Sequence, residues 1–462
     1  MPLTAAANVA DSPILPSGGG MRLNTPAMNP LLRSFPALFL PLLSSAAFAA
    51  TFDLTTLGGD LVVSSSTGEE EIVLVQSDPS APATNRITIA SGATAVLRLS
   101  GVSIAPTTRP AIAVEPGAEL LLRLDGTNIL SGGPGYAALS VPRIDGTDAR
   151  VRIAEGEESG GVLVATGGPG AAGIGGDATR DGGSVRIESG EVRAIAGSGA
   201  GIGGGTGGAG GTFVLTGGSV FAQGKAGGAG VGGAGGRLGG VGGAGGAVQI
   251  SGGALTAVGS PSGAGIGGGN NAAGGTVQIS GGTVDAKGGA GAAGIGGGAG
   301  EGGNGGDVYV SGGWTHAAGD AVASATSVFS ISGAAAVGGG SAGDGGTIVV
   351  TGGSLLGEPL GVFGDNAWAA GFVSNGAEEV FPVPLPALPD GAAIALENYV
   401  YRYAGEGGTN AVCFHLPAGT FDLCADDAGG PRYARLSVAE GGTLAVASGP
   451  TLSLAREDGE TV

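Results

Sequence analysis

Charge, aromatic side chains and cysteine are all scarce in this chain. Only 12% of its 462 residues are charged and 4% aromatic, with two Cys, two His and two Trp. An ordinary globular domain uses about 25% charged residues, so the shortage argues against one conventional core inside a charged shell. Lys and Arg total 19, widely scattered, against 38 acidic residues, for a formal net charge of −19. Phosphate recognition needs clustered cations, so neither nucleic acid nor an anionic membrane is an expected partner.

The same scarcity limits chemistry. A metal centre or a Ser-His-Asp triad would have to use His316 or His415 singly, and no catalytic residue is assigned. Gly302-Gly-Asn-Gly-Gly-Asp307 matches a calcium-binding nonapeptide once, but such repeats share the ion between tandem copies. The neighbouring repeats carry Thr212 and Thr276 where Asp307 stands. Gly224-Lys225 lacks the hydroxyl residue of a phosphate loop. No metal and no cofactor is expected.

Long apolar runs are missing too, with one informative exception in residues 28–50. There Arg33, an apolar stretch over residues 35–43 and the small-residue site Ala47-Phe48-Ala49 form a secretory signal, with cleavage expected after Ala49 or Ala50. The stretch is too short to span a bilayer and no second run approaches about 20 residues, so no membrane span is expected. Translation is expected to begin at Met21 or Met28, and the protein to be secreted, extracellular or at the cell surface, with the periplasm as a further option. In an oxidising compartment Cys413 and Cys424, which flank Leu416-Pro417-Ala418-Gly419-Thr420, read as a disulfide across a hairpin, with two buried free thiols as the alternative.

What the chain has in excess is glycine, 104 residues. Disordered chains are poor in β-branched residues, whereas here Val and Ile recur in ordered positions. The clearest unit runs from Gly275 to Gly298: Val277 and Ile279, two apart, face inward, and Thr276, Gln278 and Ser280 face solvent. Val284 and Ala286 form a second short strand, and Gly294-Ile295-Gly296 a third, with glycine pairs at the corners. The first pair recurs as Val185/Ile187, Phe213/Leu215, Val248/Ile250, Val308/Val310, Phe329/Ile331 and Ile348/Val350. The glycine-flanked step recurs at Ile174, Ile202, Val231 and Ile266. Upstream, Leu97-Arg-Leu99 is echoed by Leu122-Arg-Leu124 and by Val151-Arg-Ile153, with Ala111 to Val114 and Ala138 to Val141 as a second strand per coil. A coil of about thirty residues cannot bury its apolar side alone, but stacked coils build a continuous column.

These observations predict an all-β chain: a parallel β-helix of roughly ten coils over residues 52–357 and about 50 Å long, followed by a small β-sandwich-like module. The domains read as an N-terminal extension and signal over 1–50, front coils over 51–160 and glycine-rich coils over 161–357. A linker, proline-rich at its end, covers 358–390, and the C-terminal module 391–462.

The repeat, from Val277 to Gly297 and its copies, with the front echo at residues 97–104, resembles bacterial secreted proteins described as carbohydrate-binding-domain-containing. That resemblance implies a right-handed parallel β-helix that binds glycan, and it carries no catalytic signature. Sugar rings stack on aromatic faces while amides and carboxylates grip their hydroxyls. Trp314 and Trp368, with Asp365 and Asn366, are the candidate carbohydrate contacts, and a core or capping role is the alternative for each Trp. The expected partner is a glycan or cell-surface polysaccharide, in a non-enzymatic or adhesin-like role, with self-association through flat glycine-rich faces also open. The rival function is a polysaccharide lyase or hydrolase, for which the best cluster is Asp177, Arg180, Asp181, Arg186, Glu188, Glu191 and Arg193, with Glu155, Glu157 and Glu158 as a second acidic group.

Overall fold

A computed structural model of the chain describes residues 37–39, 50–68, 70–78, 81–237, 240–320, 337–341, 343, 346–356, 360–361, 372–374, 380–384, 393–396, 399–402, 413–417, 419–427, 430–438, 444–445 and 455–456. The described residues form strands and turns with no α-helix, and parallel sheets stack into a β-solenoid of about nine turns.

Each full turn gives one strand to each of three faces. Glycine pairs mark the corner between the first two faces. In the later turns the ladder runs straight across that corner, so Thr276–Ala290 serves both faces, with register irregularities at the glycines. On the first face Val185, Phe213, Val248, Val277, Val308 and Ile348 follow one another in register. On the second the column is Val192, Val220, Leu255, Val284, Thr315 and Leu355. The third is built from steps of two to four residues, among them Ile112, Leu139, Ile174, Ile202, Val231, Ile266, Ile295 and Val337.

The three inward rows merge into one continuous apolar core, from Leu54 to Val337 among the described residues. Full burial of each Val, Leu or Ile is worth about 1.5–3 kcal/mol, and every turn shares its contacts with the turns on either side.

Glycine does specific work on the third face. Gly175, Gly203, Gly232, Gly267, Gly296 and Gly338 stack in register with φ between 128° and 137°, a region closed to residues with a Cβ. A Cβ on Gly203 would meet the carbonyl oxygen of Gly232 at 2.0 Å. The backbones of successive turns touch at this corner and leave no room for a side chain.

Four sequence expectations change. Ala111 to Val114 and Ala138 to Val141 lie on the third face, in register with the glycine-flanked steps; the strand after the first is instead Thr127–Ser131 and its successors. Leu120 and Leu122, not Leu122 and Leu124, align with Val151 and Ile153. A slip of two residues keeps the same side chains inward, which is why the echo was visible with the wrong offset. Phe329 and Ile331 lie outside the described residues, and Val308 and Val310 pair directly with Ile348 and Val350, so no turn intervenes.

The fourth change concerns the cysteines. Cys413–Pro417 pairs antiparallel with Val380–Pro384, drawn from the expected proline-rich linker, and touches the solenoid ladder at Leu356. Gly419–Asp427 instead joins a separate antiparallel sheet, where Cys424 stands in register with Ala395 and Tyr433. Only Ala418 separates the two strands, fewer residues than the two-residue loop of a tight hairpin. Cys413 and Cys424 are therefore not cross-strand neighbours, and their thiols lie outside the described side chains. At the other end Ala37–Phe39, inside the apolar stretch read as a signal, adds in parallel to the edge at residues 60–62. The expected cleavage point at Ala49 and Ala50 falls at the start of the first strand, Ala50–Asp53.

Candidate ligand-binding face

Strand alternation turns every second residue of a face outward, and parallel stacking lines those residues up along the solenoid. On the first face one outward row reads Leu121, Arg152, Arg186, Val214, Gln249, Gln278 and Tyr309. From Arg152 to Tyr309 it spans five steps, about 24 Å at about 4.8 Å per step. Arg152, Gln249, Gln278 and Tyr309 are exposed, and Tyr309 is one of the few large apolar side chains in contact with solvent. Flanking outward positions are Thr276 and Asp307 on one side and Ser251, Ser280 and Ser311 on the other. The glycine-rich half of this face is thus a flat field of amides and hydroxyls with one aromatic ring.

The second face carries a parallel outward row: Ile129, Val164, Arg193, Phe221, Thr256, Asp285 and His316. Arg193 lies over the Phe221 ring, 5.4 Å from its centre, and His316 Nδ1 lies 2.9 Å from Asp285 Oδ1. Trp314 is on the same strand, in register with Thr283 and Ser354, and its side chain lies outside the described ones. Asp365, Asn366 and Trp368 are outside the described residues.

The cluster considered for bond cleavage is dispersed by the fold. The Asp177 carboxylate accepts hydrogen bonds from the Ala137 N–H and the Ser140 hydroxyl, both at 2.9 Å, beside the third face. Burial pushes its pKa up despite those bonds. Asp181 accepts from the Ala209 N–H on a loop. Arg186 and Glu188 are on the first face, Glu191 and Arg193 on the second. The carboxylates of the cluster are thus divided among different faces and loops of the solenoid.

On the first face Glu188 Oε1 accepts from Arg186 Nε at 2.8 Å, and both Glu188 oxygens accept from Arg152 at 3.1 Å. Burial opposes ionisation of this carboxyl, but the two guanidiniums outweigh it and hold its pKa below the ordinary value. The second acidic group is likewise drawn into structural pairing: Glu157 reaches Arg98 at 2.7 Å, and Arg98 also meets Glu71 and Asp125 in a largely buried network. The Glu158 N–H donates to Asp125. Asp307 stands in register between Thr276 and Thr347, so its neighbours supply no second carboxylate at that position. Among the described residues no group of three or more His, Cys, Asp or Glu is placed to hold a metal.

The sequence marked Gln278 as solvent-facing and Arg186 with Glu188 as sharing an outward face. It missed that Arg152, Arg186, Gln249, Gln278 and Tyr309 form one row. The signal was available in the residue between each inward pair, once the pairs are placed in register.

No protein-family model, curated protein or solved structure matches this chain.

Proposed function

We propose that the protein is a secreted, non-enzymatic β-solenoid that binds a glycan chain along its first face. The observation carrying this reading is the exposed row Gln249, Gln278 and Tyr309, flanked by serine and threonine hydroxyls. Side-chain amides both donate to and accept from sugar hydroxyls, and a tyrosine ring packs on the apolar side of a pyranose while its hydroxyl stays wet. A straight row of repeating donors suits an extended polymer better than a small molecule, which is normally enclosed. The secretion signal expected at residues 28–50 would deliver this face to the cell surface or beyond.

The test is retention of the full chain on glycan arrays and insoluble cell-wall polysaccharides. Tyr309→Ala combined with Gln249→Ala and Gln278→Ala is expected to weaken retention at least tenfold, from the loss of one ring contact and two hydrogen-bonding amides. Failure to bind any glycan, or binding that ignores the triple substitution, overturns the proposal.

A further inference from the structure

The 19 cations look scattered in the sequence, but the fold gathers several of them on one surface. Arg150 and Arg152 alternate outward on the strand Arg150–Glu155, and Arg186 stands beside Arg152 on the next turn. Neighbouring parallel strands are about 4.8 Å apart, so two guanidiniums are held side by side. Like charges at that spacing repel unless an anion lies between them.

Glu188 is that anion, and one carboxylate is not enough. Arg186 donates to it through Nε alone, and Arg152 through Nε and one terminal nitrogen. A guanidinium has five N–H donors, so both terminal nitrogens of Arg186 and one of Arg152 have no protein acceptor among the described residues. Arg150 is exposed and makes no ion pair there; Glu119 is in register beside it without reaching it. The side chains of Arg152 and Arg186 are 46% and 42% exposed, so the unused donors face solvent. Against the three arginines, Glu119 and Glu188 leave a local excess of one positive charge, and the distant carboxylates behind the net charge of −19 do not cancel it, because charges more than about 8 Å away are largely screened at physiological ionic strength.

We infer that Arg152 and Arg186, joined through Glu188, with Arg150 at the next outward position on the strand of Arg152, bind the carboxylate groups of an acidic polysaccharide. The inference rests on the glycan reading above and narrows it to a uronate-bearing polymer. Arg152 and Arg186 lie on the outward row that continues through Val214 to Gln249, Gln278 and Tyr309, with Arg150 at the outward position beside it. One chain laid along this row meets paired guanidiniums at its front and amides with an aromatic ring at its rear. Guanidinium and carboxylate match as planar forks, which makes arginine better suited than lysine to this contact.

The test uses the full chain with polygalacturonate and with its methyl-esterified form, which has the same backbone without the charge. Polygalacturonate is expected to bind at least tenfold more tightly at low salt and to lose that advantage as salt rises. Arg152→Ala with Arg186→Ala is expected to weaken polygalacturonate binding about tenfold or more and to weaken binding of the ester far less. These guanidiniums also hold the Glu188 carboxyl ionised, so the double variant is expected to melt slightly below the parent, and adding Glu188→Gln is expected to recover the melting temperature while polygalacturonate binding stays weak.

Equal binding of both polymers, or indifference to the double substitution, overturns the inference and leaves glycan binding standing. Binding of neither, nor of any other glycan, removes the glycan reading as well. Duplex DNA binding as tightly as polygalacturonate, with the same dependence on Arg152 and Arg186, would overturn uronate recognition in favour of a general polyanion site.

Discussion

The front turns and the glycine-rich turns have the same three-faced plan and fill it by opposite means. In front, Leu97, Leu99, Leu122 and Leu124 pack on one another, all fully buried, and Thr88, Ala113 and Ser140 carry side chains at the third-face position that becomes glycine later. Behind, the inward residues are mostly Val, Ile and Ala, with Phe213, Leu215 and Leu255 among them, and backbone meets backbone at the glycine column. The front turns are held mainly by apolar volume. The rear turns depend more on close main-chain approach and hydrogen bonding between turns, as in the bond from Gly204 N–H to Gly232 O. Glycine here is a packing residue, and the cost of ordering it is met by contacts no other residue permits.

That contrast is sharpest at the third-face corner. Gly232→Ala should destabilise the chain by more than about 4 kcal/mol or prevent folding, because a Cβ would lie 2.1 Å from the Gly267 oxygen at a φ of 132°. The counterpart in front, Ala113→Gly, should cost only about 1 kcal/mol. Urea denaturation of the two variants measures the difference, and equal costs would break the contrast.

Next in size, Leu122→Ala should cost about 3 kcal/mol or more, since it opens a cavity in the front core. Ala257→Gly, at a fully buried site of the rear core, should cost nearer 1 kcal/mol. A smaller effect of opposite sign is expected at Thr315, whose buried hydroxyl has no hydrogen-bond partner among the described residues and which stands in register between Val284 and Leu355. Thr315→Val should stabilise by about 1 kcal/mol, read as a higher melting temperature.

Two carboxyls extend the comparison to pH. Asp177 has a raised pKa from burial, so its ionisation opposes folding as pH rises above the ordinary carboxyl range. Asp177→Asn, which keeps an acceptor for the Ala137 N–H, should raise the melting temperature slightly at pH 7 and have no such effect near pH 3. Asp53, at the front end, is lowered from 3.8 to about 2 by the Ser77 hydroxyl and by the N–H groups of Thr55 and Ser77. A depressed carboxyl contributes stability above its unfolded value and loses it as pH falls towards the folded one. Loosening of the first turn between about pH 4 and pH 2, followed by NMR of Asp53, is therefore expected, and Asp53→Asn should remove it.

Much of this was legible in the sequence because the information is periodic. The pairs Val277/Ile279 and Val284/Ala286 and the step at Ile295 marked three faces per turn, and the structure has those faces there, although Thr276–Ala290 runs as one strand through the corner expected to separate the first two. What failed did so where periodicity is ambiguous. Leu120, Leu122 and Leu124 are three inward residues in a row, so a two-residue slip changed nothing visible from sequence. Phe329 and Ile331 match the repeat unit in sequence, but the ladder passes directly from Val308 and Val310 to Ile348 and Val350. The two cysteines were joined through local spacing, whereas their strands take partners far away, Val380–Pro384 for one and Ala393–Leu396 for the other. The arginine site was hidden for a related reason: Arg152 and Arg186 are 34 residues apart in sequence and one strand apart in space.

The central claim is that the glycines build ordered turns on which a flat binding face depends, and amide hydrogen exchange on the full chain tests it most directly. Amides at Gly204, Gly233 and Gly268, which donate to the next turn, are expected to be protected at least about a thousandfold over an unfolded chain, in the same range as those of Leu97, Leu99 and Leu122 measured alongside. Unfolded-like exchange at those glycines beside a protected front core would contradict it.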